Sequence, residues 1–242
     1  MLWIAAFLSS LRGRLQGTFS LWDRIGMGTK IAPYTDYSPW GIGAILVVNG
    51  EIAAWIAGGL DATDEEMLDI RIGDPAGQQA GELLAVLVAL RAWRQFWQGR
   101  QVQLMVKADN VSALTAVLYL KGGATMKLLC QELALEMAAS TLRPAAQHVP
   151  GVANGLADSC SRRFAPPKEP NDEWKVPAAL KSVPETRAPR RPRAWYACAP
   201  GAFPSPAKRK AAILVPASPG LCDQEGQRVG DAFKASRNVF PK

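Results

Sequence analysis

The dipeptide Asn49-Gly50 is the strongest hairpin signal in this 242-residue sequence. It closes an apolar segment at 40–49 and is followed by a second one at 51–57. Because a turn of this type joins neighbouring antiparallel strands, both segments are predicted to be strands of one sheet. A further strand is predicted at 31–36, ahead of a turn at 37–39. The region 31–57 therefore predicts three consecutive strands, and the rest of the fold must be built on them.

Helical and strand patterns alternate between residues 58 and 163. The spacing of Leu83, Val86, Leu87 and Leu90 predicts a long helix at 78–97. The nearly continuous apolar segment 103–108 predicts a buried strand. The remaining predictions are a polar loop at 58–77, helices at 111–120, 124–140 and 153–163, and a strand at 145–149. This order predicts an α/β fold in which a mixed five-stranded sheet has helices on both faces.

Charge and proline content divide the chain at residue 163. Residues 1–163 carry 14 basic and 14 acidic residues, which leaves 14 of the 28 basic and 7 of the 21 acidic residues for 164–242. The same segment holds 13 of the 18 prolines. Such a composition buries too little apolar surface to offset the entropy of ordering, so a largely disordered basic tail is predicted at 164–242.

The function of this tail stays open at the level of sequence. Its basic groups are Arg187, Arg190, Arg191, Arg193 and the run 208–210. They fit either phosphate contacts or a nuclear import signal. A tail that only improves solubility, or that has no role, fits equally well.

Cysteine and histidine content excludes several classes of protein. The four cysteines, at 130, 160, 198 and 222, form no CxxC pair, and the chain has one histidine. Zinc fingers and thioredoxin-like chemistry are therefore excluded. The apolar run 2–8 has neither a preceding basic residue nor a clear cleavage site. Later apolar runs fall short of the roughly 20 residues that span a bilayer. We therefore expect an intracellular protein, cytoplasmic or nuclear, without a membrane partner.

Four acidic residues stand where predicted strands and helices meet. Asp36 ends the first strand, Asp109 follows the fourth, Glu82 lies early in the first long helix, and Asp158 lies in the last helix. If the first and fourth strands are neighbours, Asp36 and Asp109 lie side by side. Clustered carboxylates favour a bound divalent cation, and oxygen ligands favour Mg²⁺ or Mn²⁺ over zinc. Two such ions about 4 Å apart catalyse phosphodiester cleavage.

Each of these acids also has an ordinary structural interpretation. Asp109 fits a turn former, Glu82 fits the first turns of a helix, and Asp158 fits an ion pair with Arg162 four positions on. Spacing and order alone do not choose between the two interpretations. The local motifs around the acids do.

Four motifs surround the acids in order: YTD…GIGAIL at Asp36, ELLAVLVALRAW from Glu82, VKADNVSAL at Asp109 and HVPGVANGLADSCSR at Asp158. Together they resemble the ribonuclease H domain attached to reverse transcriptases of retroelements, closest to the Gypsy-type and tyrosine-recombinase (DIRS-like) groups. The resemblance covers residues 31–163. It implies a ribonuclease H-like fold and hydrolysis of the RNA strand of RNA·DNA hybrids, within a retrotransposon reverse transcriptase.

The resemblance also implies a role for each acid. Asp36 is expected to contact two Mg²⁺ or Mn²⁺ ions, Glu82 and Asp109 the ion nearer the attacking water, and Asp158 the other ion. The products would carry a 5′ phosphate and a 3′ hydroxyl. Gly41, Gly43 and Asn110 are candidate contacts for the backbone of the hybrid, although strand geometry explains the two glycines equally well.

Several residues depart from the family pattern. His148 stands before the Pro150-Gly151 turn rather than after its glycine, so a strand-end or packing role is predicted and a catalytic histidine is not. Tyr37 occupies the place of a small residue and is expected to crowd substrate entry. Only Lys121 and Lys127 remain of the basic protrusion that some cellular enzymes use to grip the hybrid.

The surrounding chain leaves other interpretations open. Residues 1–30 are expected to be a helical remnant of a polymerase connection, and no YxDD-like polymerase motif is present. A polymerase domain on another chain is therefore an expected partner. The first rival hypothesis is a catalytically decayed ribonuclease H-like remnant with weak nucleic-acid binding. The second is a transposase or integrase core. It is disfavoured because such cores carry their acids in the order Asp, Asp, Glu, whereas the order here is Asp, Glu, Asp, Asp.

Overall fold

The computed structural model describes residues 28–98, 100, 102–140, 143–169 and 172–196. Residues 1–27 of the predicted helical remnant and 197–242 of the predicted tail lie outside the described residues. The strands are β1 (Thr29–Ser38), β2 (Gly41–Val48), β3 (Glu51–Gly59), β4 (Val102–Ala108) and β5 (Ala145–His148). The helices are α1 (Ala62–Leu68), α2 (Gln78–Ala92), α3 (Val111–Tyr119), α4 (Lys127–Ser140) and α5 (Gly155–Ser161). Short 3₁₀ turns lie at Pro75–Gly77, Arg94–Phe96, Ala124–Met126, Gly151–Asn154, Arg162–Phe164, Ala178–Leu180 and Arg193–Trp195.

The strands form one mixed five-stranded sheet in the order β3-β2-β1-β4-β5. β1, β2 and β3 pair antiparallel, whereas β4 is parallel to both β1 and β5. Asn49 and Gly50 make the predicted hairpin turn with φ of 51° and 94°, values that favour these two residue types. All five predicted strands are present in the predicted order along the chain.

Helices cover both faces of this sheet. α2 is buried continuously from Ala80 to Leu90, because it packs on β1 and β2 with one side and on α3 and α4 with the other. On the opposite face, Ala157 and Cys160 of α5 form a second core with Ile45 and Trp55. The predicted mixed sheet with helices on both faces is therefore confirmed.

Residues 58–77 were predicted to be a polar loop, but that prediction missed helix α1, which forms within them. Asp61 accepts hydrogen bonds from the backbone of Thr63 and Asp64, and the Asp64 carboxylate accepts one from the backbone of Asp61 at 3.1 Å. This reciprocal capping box satisfies donors that the first turn of a helix otherwise leaves unpaired. The long helix was predicted to extend to residue 97, but α2 ends at Ala92. The 3₁₀ turn Arg94–Phe96 follows it, with Trp93 and Trp97 buried on either side.

The prediction of a disordered tail is wrong for residues 172–196, which we call the strap. Its Leu180 is buried in the second core, and Trp174, Val176 and Val183 of the strap pack against that core. The strap also pairs with edge strand β3, since Trp55 N–H donates to Pro184 O at 3.3 Å and Thr186 N–H donates to Trp55 O at 2.8 Å. A proline-rich segment needs no core of its own when it completes an existing one and covers an open sheet edge.

The end of the strap is anchored by a buried ion pair. Arg191 donates to both carboxylate oxygens of Asp64, with Nη2 to Oδ2 at 2.7 Å, and both side chains are almost fully buried. Tyr196 Oη donates to the same carboxylate at 2.7 Å. Arg191 also donates to the carbonyl of Gly59 at the end of β3. The strap therefore holds α1 and β3 together.

No single helix in the described part of the chain is long and apolar enough to cross a membrane. The segments Val111–Tyr119 and Ala124–Ser140 reach that length and composition only together, and they meet at 56°.

Candidate active site

The sheet brings Asp36 and Asp109 together, as the sequence predicts. Tyr34 of β1 is in register with Lys107 of the parallel strand β4, and each acid stands two residues beyond that pair. The two acids therefore lie next to each other on adjacent strands, at the same end of the sheet. Glu82 reaches the same point from the beginning of α2, which packs across β1.

Asp36, Glu82 and Asp109 form a compact cluster. Each offers one carboxylate oxygen, and these three oxygens all lie within 4.8 Å of one another. Asp36 and Glu82 are 4% and 2% exposed, whereas Asp109 is half-buried. The cluster lies in a cleft of about 270 Å³ whose lining also includes Gln78, Asn110, Asp158 and Arg162.

Burial and mutual repulsion make this cluster electrostatically costly. Burial, together with the neighbouring Asp36 and Asp109, raises the pKa of Glu82 from 4.5 to about 9. Burial likewise raises the pKa of Asp36 to about 7, against the hydrogen bond from Ser161 that lowers it, while Asp158 and Asp109 add to the increase. A bound cation would remove this cost by stabilising the ionised forms.

Hydrogen bonds hold two of the carboxylates in place. Ser161 Oγ donates to Asp36 Oδ2 at 2.7 Å, and Asn154 Nδ2 donates to Asp36 Oδ1 at 3.4 Å. Gln78 Nε2 donates to Glu82 Oε1 at 2.7 Å. The other oxygen, Glu82 Oε2, is buried without a hydrogen-bond partner among the described residues. An unpaired buried carboxylate oxygen beside two other carboxylates fits a divalent cation of the Mg²⁺ class.

Asn154 and Ser161 are site residues that the sequence analysis missed. Both lie within the HVPGVANGLADSCSR motif, so the motif carried a signal for them. The Asn154 side chain ties β1 to α5 through Thr35 O at 2.9 Å, and Ser38 Oγ donates to Ser161 O at 2.7 Å. Their contribution is to orient the Asp36 carboxylate.

Asp158 lines the same cleft but stands outside the three-carboxylate cluster. It forms an ion pair with Arg162 at 2.7 Å, one helical turn on, and the two side chains are 40% and 56% exposed. This is the ordinary pairing that the sequence left open for Asp158. Three of the four predicted carboxylates are thus brought together, and the fourth lies at the edge of their cleft.

The two predicted substrate-binding glycines face protein instead. A Cβ at Gly43 would overlap the carbonyl oxygen of Ala157, and one at Gly41 would lie 2.7 Å from Gly58 O and 2.9 Å from Ser161 O. Close packing of α5 on β2 therefore explains both glycines, and it places Ser161 against Asp36. Their predicted contact with the backbone of a hybrid stays a prediction.

Asn110 and His148 both belong to the end of the sheet that carries the cluster. Asn110 lines the cleft and caps α3, accepting the Ala113 N–H at 3.1 Å, so its predicted substrate contact stays a prediction. His148 is the exposed last residue of β5, as predicted, and its Nε2 lies 3.1 Å from the carbonyl oxygen of Asp109. It is not among the residues that line the cleft.

Tyr37 lines the cleft, but little of its side chain is exposed there. Its side chain is 3% exposed and packs in the core against Gly81 of α2. Any Cβ at Gly81 would overlap the tyrosine ring. The glycine next to Glu82 therefore makes room for the large residue next to Asp36.

Comparisons with known proteins return distant structural likenesses. No protein-family model and no curated protein matches the chain. The structure of LC11 ribonuclease H1, isolated from compost by a metagenomic approach, is similar at 14% identity and a TM-score of 0.41, over 55% of this chain and 91% of that one. Ribonuclease H1 from the halophilic archaeon Halobacterium salinarum NRC-1 is similar at 16% identity and a TM-score of 0.38, over 54% and 93% of the two chains.

Likenesses this distant concern the fold alone. The strand order β3-β2-β1-β4-β5, with three antiparallel strands followed by two parallel ones, is established by the hydrogen-bonded pairs of this chain itself. Together with helices on both faces it forms the mixed five-stranded α/β architecture that the sequence predicts.

Proposed function

We propose that this chain is a ribonuclease H-type endonuclease that hydrolyses the RNA strand of RNA·DNA hybrids in the presence of Mg²⁺ or Mn²⁺. The observation that supports it best is the cluster of Asp36, Glu82 and Asp109 on adjacent elements. Within the described ranges, none of these three acids forms an ion pair with a lysine or arginine. Buried carboxylates without cationic partners are unstable as anions, so the arrangement favours metal binding.

Each side chain has a distinct part in holding the metal. Asp36 is oriented by Ser161 and Asn154, which leaves its carboxylate fixed at the centre of the cluster. Glu82 is held through one oxygen by Gln78 and offers the other. Asp109 is more open and is free to face the substrate side. Bound divalent ions in such a site supply activation of the attacking water and stabilisation of the leaving oxygen.

A second ion would require Asp158. Its carboxylate is engaged with Arg162, so it must exchange or share that partner before it binds a metal. The exchange costs little, because an exposed ion pair of this kind contributes at most about 1 kcal/mol. Arg162 would then be free beside the cleft, where a guanidinium can contact a phosphate.

The hybrid as substrate is supported by the four motifs rather than by the carboxylates, which would serve any phosphodiester. The same motifs support a retroelement reverse transcriptase as the source of the domain, with a polymerase domain as partner. Recognition of the hybrid would combine 2′-hydroxyl contacts with backbone shape.

A substrate panel tests this proposal. The purified chain is incubated with end-labelled RNA·DNA hybrid, double-stranded RNA or double-stranded DNA in Mg²⁺, Mn²⁺ or EDTA. We expect cutting of the RNA strand of the hybrid alone, with either metal and not with EDTA, and products with a 5′ phosphate. The Asp109→Asn variant should fold and lose this activity, since a neutral amide is a poor ligand for a hard cation. Metal-independent cutting, or undiminished cutting by Asp109→Asn, would contradict the proposal, and a folded chain without activity would favour the decayed remnant.

A further inference from the structure

A second open cavity, of about 510 Å³, lies between the end of β3 and the strap. One wall consists of residues 57–59 with Asp61, the second of Arg163 and Phe164 after α5, and the third of Glu185 and strap residues 187–191. We call it the arginine groove. It depends on the strap and so lies partly outside the region covered by the four motifs.

Arginines outnumber acids in the lining of the arginine groove, with four arginines against Asp61 and Glu185. Arg187 and Arg190 are exposed and form no hydrogen bond or ion pair with the described residues. Arg163 is paired with Glu185, and Arg191 is neutralised by the buried Asp64. Two free guanidinium groups on one wall are suited to oxyanions, which they bind with paired, directional hydrogen bonds.

The groove adjoins the carboxylate cleft. Asp36, Gly43 and Ala57 form one row across β1, β2 and β3. Two strand spacings place the groove wall at Ala57 about 10 Å from the backbone of Asp36. The walls are also continuous in sequence, because Arg162 lines the cleft and Arg163 lines the groove.

An exposed aromatic ring lines the arginine groove. Phe164 is 48% exposed and packs beside Gly59, and the Arg163 guanidinium lies 5.7 Å from its ring centre. Rings beside cationic groups are typical of surfaces that follow a polynucleotide backbone, because bases and sugars pack on the ring while arginines contact phosphates.

We propose that the arginine groove binds the sugar-phosphate backbone of the polynucleotide whose scissile bond lies at the carboxylate cluster. The strap thereby supplies a phosphate-binding subsite that replaces the grip expected of a basic protrusion. The placement of the scissile bond rests on the proposed function, whereas binding by the groove does not.

Charge reversal tests the groove without requiring cleavage. We compare full-length wild type with Arg187→Glu/Arg190→Glu and with Lys175→Glu/Lys181→Glu, whose exposed lysines lie on the same strap but do not line the groove. Binding of a fluorescently labelled RNA·DNA hybrid is followed by anisotropy in EDTA over a range of salt concentrations. Both pairs change the net charge equally, so a difference between them reports position.

The arginine pair should weaken binding by about tenfold or more at low salt and reduce the salt slope by about two, since each phosphate contact contributes roughly 0.9. The lysine pair should change both quantities far less. The neutral variant Arg187→Gln/Arg190→Gln should fall between wild type and the charge reversal. Equal effects of the arginine and lysine pairs would overturn the proposal.

Cleavage separates this inference from the proposed function. If both hold, the arginine pair raises KM in Mg²⁺ and leaves kcat near the wild-type value. A wild-type chain that binds the hybrid through Arg187 and Arg190 but never cuts it would contradict the proposed function and support the groove.

Discussion

The raised pKa of the buried Glu82 predicts how the free energy of unfolding depends on pH. The pKa of Glu82 is about 9 in the folded chain, compared with 4.5 when it is unperturbed. Between these values the folded chain holds a proton that the unfolded chain has lost, so raising the pH favours unfolding. The stability is complete below the unperturbed pKa and declines until the pH reaches the folded one.

The size of this loss follows from the slope of the free energy of unfolding against pH. One bound proton changes the free energy of unfolding by about 1.4 kcal/mol per pH unit, so Glu82 alone should lower it by about 3 kcal/mol between about pH 5 and about pH 7. Asp36 adds to this loss until the pH approaches its own folded pKa of about 7. Glu82→Gln removes the first contribution and keeps the second. The metal-free variant should therefore be more stable than wild type at neutral pH, by up to about 3 kcal/mol.

Urea denaturation in EDTA at several pH values measures this difference. The control is Glu51→Gln, an exposed glutamate at the start of β3 outside the cleft, which should follow wild type. Adding Mg²⁺ at neutral pH should stabilise wild type more than Glu82→Gln, because the metal binds the ionised cluster. Identical pH slopes for wild type and Glu82→Gln would refute the reasoning, since Glu82 would then be ionised in the folded chain without metal.

Three further predictions concern packing and the histidine. Arg191→Ala should lower the free energy of unfolding by about 3–5 kcal/mol, because it leaves the buried Asp64 unpaired, and Asp64→Asn in the same chain should recover part of the loss in urea titrations. Gly43→Ala should destabilise by several kcal/mol, because its methyl group overlaps the carbonyl of Ala157, and thermal unfolding checks this against the milder Gly50→Ala at the hairpin turn. His148→Ala should leave the rate of hybrid cleavage within about threefold of wild type, because a side chain outside the cleft cannot transfer a proton to or from a substrate bound there. A loss of activity near a hundredfold would instead indicate a catalytic role for His148.

Local signals account for the parts of the fold that the sequence predicted. Asn49-Gly50 dictates a tight turn, and the apolar spacing of α2 appears within a single element. The meeting of Asp36 and Asp109 was predictable because each acid stands at the carboxyl end of a strand, and the carboxyl ends of parallel neighbours lie at one edge of the sheet. These inferences required only near neighbours along the chain.

Contacts between distant residues explain what the sequence did not reveal. The strap orders because Pro184 and Thr186 pair with Trp55, about half the chain away, and composition alone predicted disorder there. Tyr37 of β1 packs against Gly81 of α2, a contact between two different elements. Considered alone, the tyrosine suggested that substrate entry would be crowded. Gly41 and Gly43 suggested ligand contacts because nothing local indicates that α5 packs on them. The capping box of α1 was local, but its acids also fitted a polar loop.

The most direct test of the central claim is cleavage of an end-labelled RNA·DNA hybrid in Mg²⁺ by wild type and by Asp36→Asn, with Asp69→Asn as an exposed control. Asp36 is the carboxylate that both Ser161 and Asn154 orient, so its neutral variant should bind the hybrid but no longer cut it. The account predicts RNA-strand cleavage by wild type and by Asp69→Asn, and loss of cleavage by about a thousandfold or more in Asp36→Asn. Cleavage by Asp36→Asn at the wild-type rate would contradict it.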